Sequence, residues 1–206
     1  PTEYGNNVVL PLLAKIAEDH PKLKFQISYA LPKMMGELLL HSKIDFAFVD
    51  SYGFDSSIIV EKVSDEDLLL CCSKHYQRRF FKDKILSKTN YLDFDYVAYD
   101  QDCSMIDLWL SHHLGIKNHK INPKMVLPDV RGVLNMILNS MGIGILPGHL
   151  LDSKPELKTK LYVIEGKEKI LKNQIALATL KDKTQSHGLR VIIQILKEKL
   201  KRSLES

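Results

Sequence analysis

The chain alternates amphipathic runs with short apolar ones, which predicts an α/β fold. Val9, Leu12, Leu13, Ile16 and Ala17 recur at helical spacing, and His20-Pro21 closes that helix because a residue before proline is pushed out of the helical region. Leu23–Ala30 alternates as a strand, Lys33–His41 reads as a helix, and Ile44–Val49 is an apolar run of the kind that parallel sheets cover on both faces. Ser64–Asp67 forms a polar break before Leu68–Cys72, a buried strand expected to cross into a second lobe. Beyond it, a basic aromatic segment at His75–Lys84 precedes a strand at Tyr96–Tyr99 and a helix at Ile106–Leu114. Lys124–Leu127 and Leu161–Ile164 are further strands, Gln174–Leu180 is the return crossing, and an amphipathic helix from about Ser186 closes the chain.

The stretch Leu127–Pro147 organises the second lobe. Asp129 is positioned as an N-cap, and Val130, Leu134, Ile137, Leu138 and Met141 form one apolar stripe. Gly142 is expected to stop the helix in the left-handed C′ conformation, leaving Ile143–Leu146 as a covered strand that Pro147 ends. Two crossings would form a hinge, giving lobe I from 1–70 plus 181–206 and lobe II from 71–180. A ligand then belongs in the cleft.

The order helix, Gly-x-Gly, apolar run, Leu-Pro resembles the ligand-sensing part of LysR-type transcriptional regulators. Leu10–Leu13, the helix to His20-Pro21, Leu23–Tyr29, Gly36–Leu39 and Ile44–Phe48 follow that family's opening in order, so the likeness covers almost the whole chain. The resemblance implies a two-lobed, type 2 periplasmic-binding-protein-like fold with a hinge of crossing strands. It also implies a cytoplasmic homodimer or tetramer, with dimer contacts on Val8–His20 and Phe25–Tyr29, that binds a small, anionic effector to control transcription. DNA would be reached only through an N-terminal helix-turn-helix domain, which this chain does not include. No enzyme activity, cofactor, metal or membrane partner is expected.

Bulk properties fit a soluble protein. The 206 residues, 45% of them apolar, suffice for one α/β domain or two small lobes, and the net charge of +4 is spread among alternating lysines and acids rather than gathered in one block. Three cysteines form no disulfide framework and favour a reducing compartment. The first residues lack the pattern of a signal peptide, and no run is long enough to span a membrane.

Strand-to-helix turns bring helix N-termini, with unpaired N–H groups and partial positive charge, to a cleft in such a fold. The resemblance puts effector contacts on these turns, at Thr2, Pro32, Gln101, Cys103, Ser104 and Asp129, and Lys33, Asp102 and Val130 adjoin them. Thr2 and Ser104 supply hydroxyls, Gln101 an amide and Lys33 a charge, whereas Pro32 stands where many family members have a hydroxyl residue. Asp102 and Asp129 also read as helix caps. Cys103 resembles the reactive cysteine of peroxide-sensing members, which makes a thiol-based redox sensor one alternative, yet His112 occupies the resolving position and neighbouring acids oppose thiolate formation. A transporter's solute-binding protein is another. An enzyme on this scaffold could draw only on Asp102, Asp129, Cys103 and Lys33, and His112, His113 and His119 lack the acids or cysteines that would complete a metal site.

Overall fold

The computed structural model describes residues 1–30, 32–50, 53–82, 86–117 and 119–202, apart from the side chains of 32, 33 and 202. In chain order the elements are α1 (Thr2–Tyr4), a π-helical stretch Gly5–Val9, α2 (Leu10–Asp19), α3 (Pro32–Leu40), β1 (Ala47–Val49) and β2 (Ile58–Ser73). Then come α4 (Lys74–Phe80), α5 (Lys88–Leu92), β3 (Val97–Ala98), α6 (Ser104–Leu114), β4 (Met125–Val126), α7 (Val130–Leu138) and β5 (Gly144–Pro147). The chain continues through α8 (Gly148–Ser153), α9 (Leu157–Lys160), β6 (Leu161–Val163), β7 (Lys172–Leu180) and α10 (His187–Arg202). Two compact units result, one of residues 1–66 with 173–206 and one of residues 67–172.

In the first unit β7 lies between β1 and β2, antiparallel to β1. Its alternation divides the core. Ile175 and Leu177 join Tyr4, Leu13, Ile16, Val63 and Leu196, whereas Ala176 and Ala178 join Leu39, Val49 and Ile58. Both faces of the sheet are therefore covered, which is why Ile44–Val49 and Gln174–Leu180 read as apolar runs. Leu23–Ala30 is not assigned as a strand, and Ile27 and Tyr29 are about half exposed. Alternation marks two faces but does not supply a neighbouring strand to hydrogen-bond.

The second unit repeats the two-faced arrangement. Leu68, Leu70 and Cys72 of β2 join Ile143 and Ile145 in an aromatic cluster with Tyr76, Phe81, Tyr91, Tyr96 and Trp109. Cys71 and Leu146 face an aliphatic cluster with Val133, Leu134, Ile137 and Leu150. The partners of β2 here, β5 and β6, both run antiparallel to it. Strands β3 and β4 pair in parallel, and an isolated parallel bridge links Tyr96 to Ile143.

Two further sequence expectations are corrected. Ser64–Asp67 is no break, because Ile58–Ser73 is one strand in which Ser64 and Glu66 are buried polar residues. Helix α7 ends before Gly142, since Ser140 (φ 61°) takes the left-handed position. Ser140 N–H donates to the Ile137 carbonyl and Met141 N–H to that of Met136, the paired bonds of a Schellman stop. Gly142 and Gly144 serve close approach instead. A Cβ on them would lie 2.4 Å from the Asp95 carbonyl oxygen and 2.7 Å from that of Val97, where the main chains of 95–97 and 142–144 hydrogen-bond.

Candidate functional site

Two helix starts in the second unit carry most of the expected site residues. The first follows β3. Cys103 N–H donates to the Asp100 carbonyl at 3.2 Å, and Cys103 adopts φ 54°, ψ 33°, a left-handed conformation unusual for a residue with a Cβ. This bend buries the thiol in the aromatic cluster and leaves Gln101, Asp102 and Ser104 exposed. Asp100 ties the bend to the helix, because its Oδ1 accepts both the Ser104 N–H at 3.2 Å and the Ser104 hydroxyl at 3.0 Å. Sequence reading assigned that capping role to Asp102. The spacing Asp-x-x-x-Ser was the available signal, but a cap four residues back needs the left-handed turn, which a cysteine does not announce.

Burial pushes the Cys103 thiol up to about 11, with the carboxylates of Asp100, Asp107 and Asp102 adding to the rise. These surroundings oppose the thiolate that a redox role needs. Asp107 is itself raised, chiefly by burial, which His119 counteracts and Asp100 reinforces. The start of α6 is thus acidic.

At the second start Asp129 is extended (φ −129°, ψ 130°), and its Oδ2 accepts the Gly132 N–H at 2.9 Å. This is the N-cap that the sequence predicts. Asp129 is exposed and Val130 half-buried at the helix start.

The remaining residues belong to the first unit. Thr2 is exposed and opens α1, beside a buried Glu3 whose carboxylate accepts a hydrogen bond from Asn7. Pro32 and Lys33 begin α3, and their side chains lie outside the described residues. Glu3, Ser64 and Glu66 are buried polar groups in this unit outside the expected site residues, Ser64 and Glu66 lying in the stretch that the sequence marks only as a polar break.

The histidines are committed elsewhere. His112 Nε2 is 2.8 Å from the Lys169 carbonyl, and His113 Nδ1 accepts the Glu168 N–H at 3.2 Å. No group of three potential metal-ligating side chains occurs among the described residues. Nor is any described helix long and apolar enough to cross a membrane.

The family model for the LysR substrate binding domain matches residues 1–201. The chain belongs to that family. It is an effector-binding domain of a LysR-type transcriptional regulator, and the family is a regulatory, ligand-binding one rather than a catalytic one. No curated protein matches the chain.

Among solved structures, the regulatory domain of CrgA, a LysR-type regulator from Neisseria meningitidis, matches with TM-score 0.77 and 19% identity over 96% of this chain and 94% of that one. This LysR-type domain spans 65% of the longer CrgA chain. The CcmR regulatory domain of Synechocystis PCC6803, solved with 2-PG, gives TM-score 0.78 at 14% identity, covering 96% of this chain and 93% of that one. The QuiR effector-binding domain, solved with shikimate, gives 0.74 at 15%, covering 97% and 93%. At these identities the likeness shows the LysR regulatory-domain fold.

Proposed function

We propose that this LysR-type domain senses a small hydroxylated acid, taken up in the cleft that the family resemblance implies between regulatory lobe I (1–70 with 181–206) and regulatory lobe II (71–180). Thr2, Pro32, Lys33, Gln101, Asp102, Cys103, Ser104, Asp129 and Val130 form the contact set. The reading is supported by the family, by the small molecules in the CcmR and QuiR structures, and above all by the exposed start of α6. There Gln101 and Ser104 offer polar groups to solvent on a bend fixed by Asp100.

The chemistry of that bend narrows the ligand. An anionic group suits Lys33 and helix N-terminal N–H groups, whereas Asp100, Asp102 and Asp129 can only accept hydrogen bonds when ionised. A bare carboxylate would be repelled by these acids. One that also carries hydroxyl donors would satisfy both sets of groups. Cys103 contributes shape, because its thiol is buried. Ligand preference for one lobe arrangement would bias the assembly of dimers or tetramers, and so the placement of DNA-binding domains joined to the N-terminus.

A thermal-shift panel of hydroxylated acids, simple acids and sugars tests the proposal. A hit at about a hundred times its dissociation constant adds roughly 2.7 kcal/mol of stability if it binds only the folded chain. The expected hits are hydroxylated acids, weakened by Ser104→Ala. Stabilisation by neutral sugars alone, or stabilisation indifferent to Ser104, overturns the reading.

A further inference from the structure

Within the second unit, a groove of about 370 Å³ shares no residue with the two helix starts. Phe81, Tyr91, Leu114, Tyr162 and Ile164 line its apolar part, and Phe81 and Tyr162 meet edge to face with ring centroids 6.0 Å apart. This volume falls at the small end of the range for small-molecule pockets. Gln77, Glu165 and Lys167 supply the polar lining. Glu165 and Lys167 are both exposed, and among the described residues neither is ion-paired with the other or with any third residue.

The loop carrying these charges is built onto α6. A Cβ on Gly166 would lie 2.1 Å from His113 Nδ1, so only glycine lets the loop rest on that ring. The Glu168 N–H then donates to His113 Nδ1, and the Lys169 carbonyl bonds His112. His113 in turn packs at a tilt against Trp109, centroids 4.5 Å apart. A carboxylate and an ammonium two residues apart are thereby held beside an aromatic wall without neutralising each other.

The geometry points to a second ligand site in this groove, for an apolar or aromatic α-amino acid. Glu165 receives the ammonium group, Lys167 the carboxylate, and the rings of Phe81, Tyr91 and Tyr162 the side chain. Opposite charges two residues apart on one anchored loop select a zwitterion over a simple acid or amine, because either of these leaves one charge on the loop unmatched.

Trp109, the single tryptophan, reports occupancy, since its ring lies 6.0 Å from that of Tyr91. L-Phenylalanine and L-leucine are titrated into the chain, with phenylacetate and 2-phenylethylamine as controls, while tryptophan emission is recorded. The expected result is saturable change with the amino acids, at least tenfold weaker in Glu165→Gln and in Lys167→Gln and retained in Ser104→Ala. Because both loop side chains are exposed, the variants should keep the wild-type circular dichroism spectrum. Absence of saturable change, equal response to the controls, or affinity unaltered in both loop variants overturns the proposal. Loss in Ser104→Ala alone would assign the amino acid to the helix-start site and also overturn it.

Discussion

Helices α6 and α7 occupy equivalent places in the second unit, each following a short strand, yet they are anchored by different physics. Helix α6 begins at a left-handed cysteine, is tied back by Asp100 and ends at left-handed Gly115. Its buried side meets rings, Trp109 against Tyr91 and His113. Helix α7 begins at an ordinary aspartate cap, packs aliphatic residues and ends at left-handed Ser140, before two glycines that press against carbonyl oxygens. One helix is positioned by polar ties and tilted aromatic contacts, the other by close backbone contact. The polar ties leave Gln101, Asp102 and Ser104 exposed at the start of α6.

The largest effect is expected on the side of α7. Gly142→Ala drives a methyl group into the Asp95 carbonyl and should cost about 3 kcal/mol, at the upper end for overpacking, in urea denaturation. Loss below about 0.5 kcal/mol would mean that the contact yields easily. Removing the caps separates the helices less. Asp129→Ala should cost about 1 kcal/mol. Asp100→Ala, which removes two bonds to Ser104, should cost as much or more by the same denaturation measurement.

A smaller difference should appear in pH dependence. Burial, with His112, holds His113 below its ordinary value of 6.5, partly offset by Glu168. The unfolded chain therefore binds the proton first. The contribution of His113 is fully present above about pH 6.5 and is lost as pH falls through the window beneath it. Stability measured from pH 7.5 to 5 should fall less steeply in His113→Gln than in the wild type.

The smallest effect concerns Cys103. Because Asp100 contributes to its raised thiol, Asp100→Asn should lower the pH at which the thiol reacts with a disulfide reagent, whereas Asp129→Asn should not. Equal shifts in both variants would show that net charge, rather than the local bend, governs the thiol.

The contrast also explains what the sequence made legible. Asp129, the stripe through Leu134 and Ile137, and the two-faced runs at Leu68–Cys72 and Gln174–Leu180 are local patterns, and each appears in the fold. The Gly-x-Gly was visible, but its purpose was not, because the Asp95 and Val97 carbonyls come from distant sequence. Asp100 was missed for a similar reason, as its capping depends on an αL cysteine. The pairing of His113 with Gly166 joins residues 53 positions apart. Such contacts leave no periodic trace.

The central claim is that a small acid binds at the helix starts of this domain. Hydrogen–deuterium exchange, with and without a saturating hydroxylated acid from the thermal-shift panel, tests it most directly. The account predicts slowed exchange at 100–106 and 129–133, with 165–169 unchanged. Protection confined to 165–169, or absent from both helix starts, would contradict it.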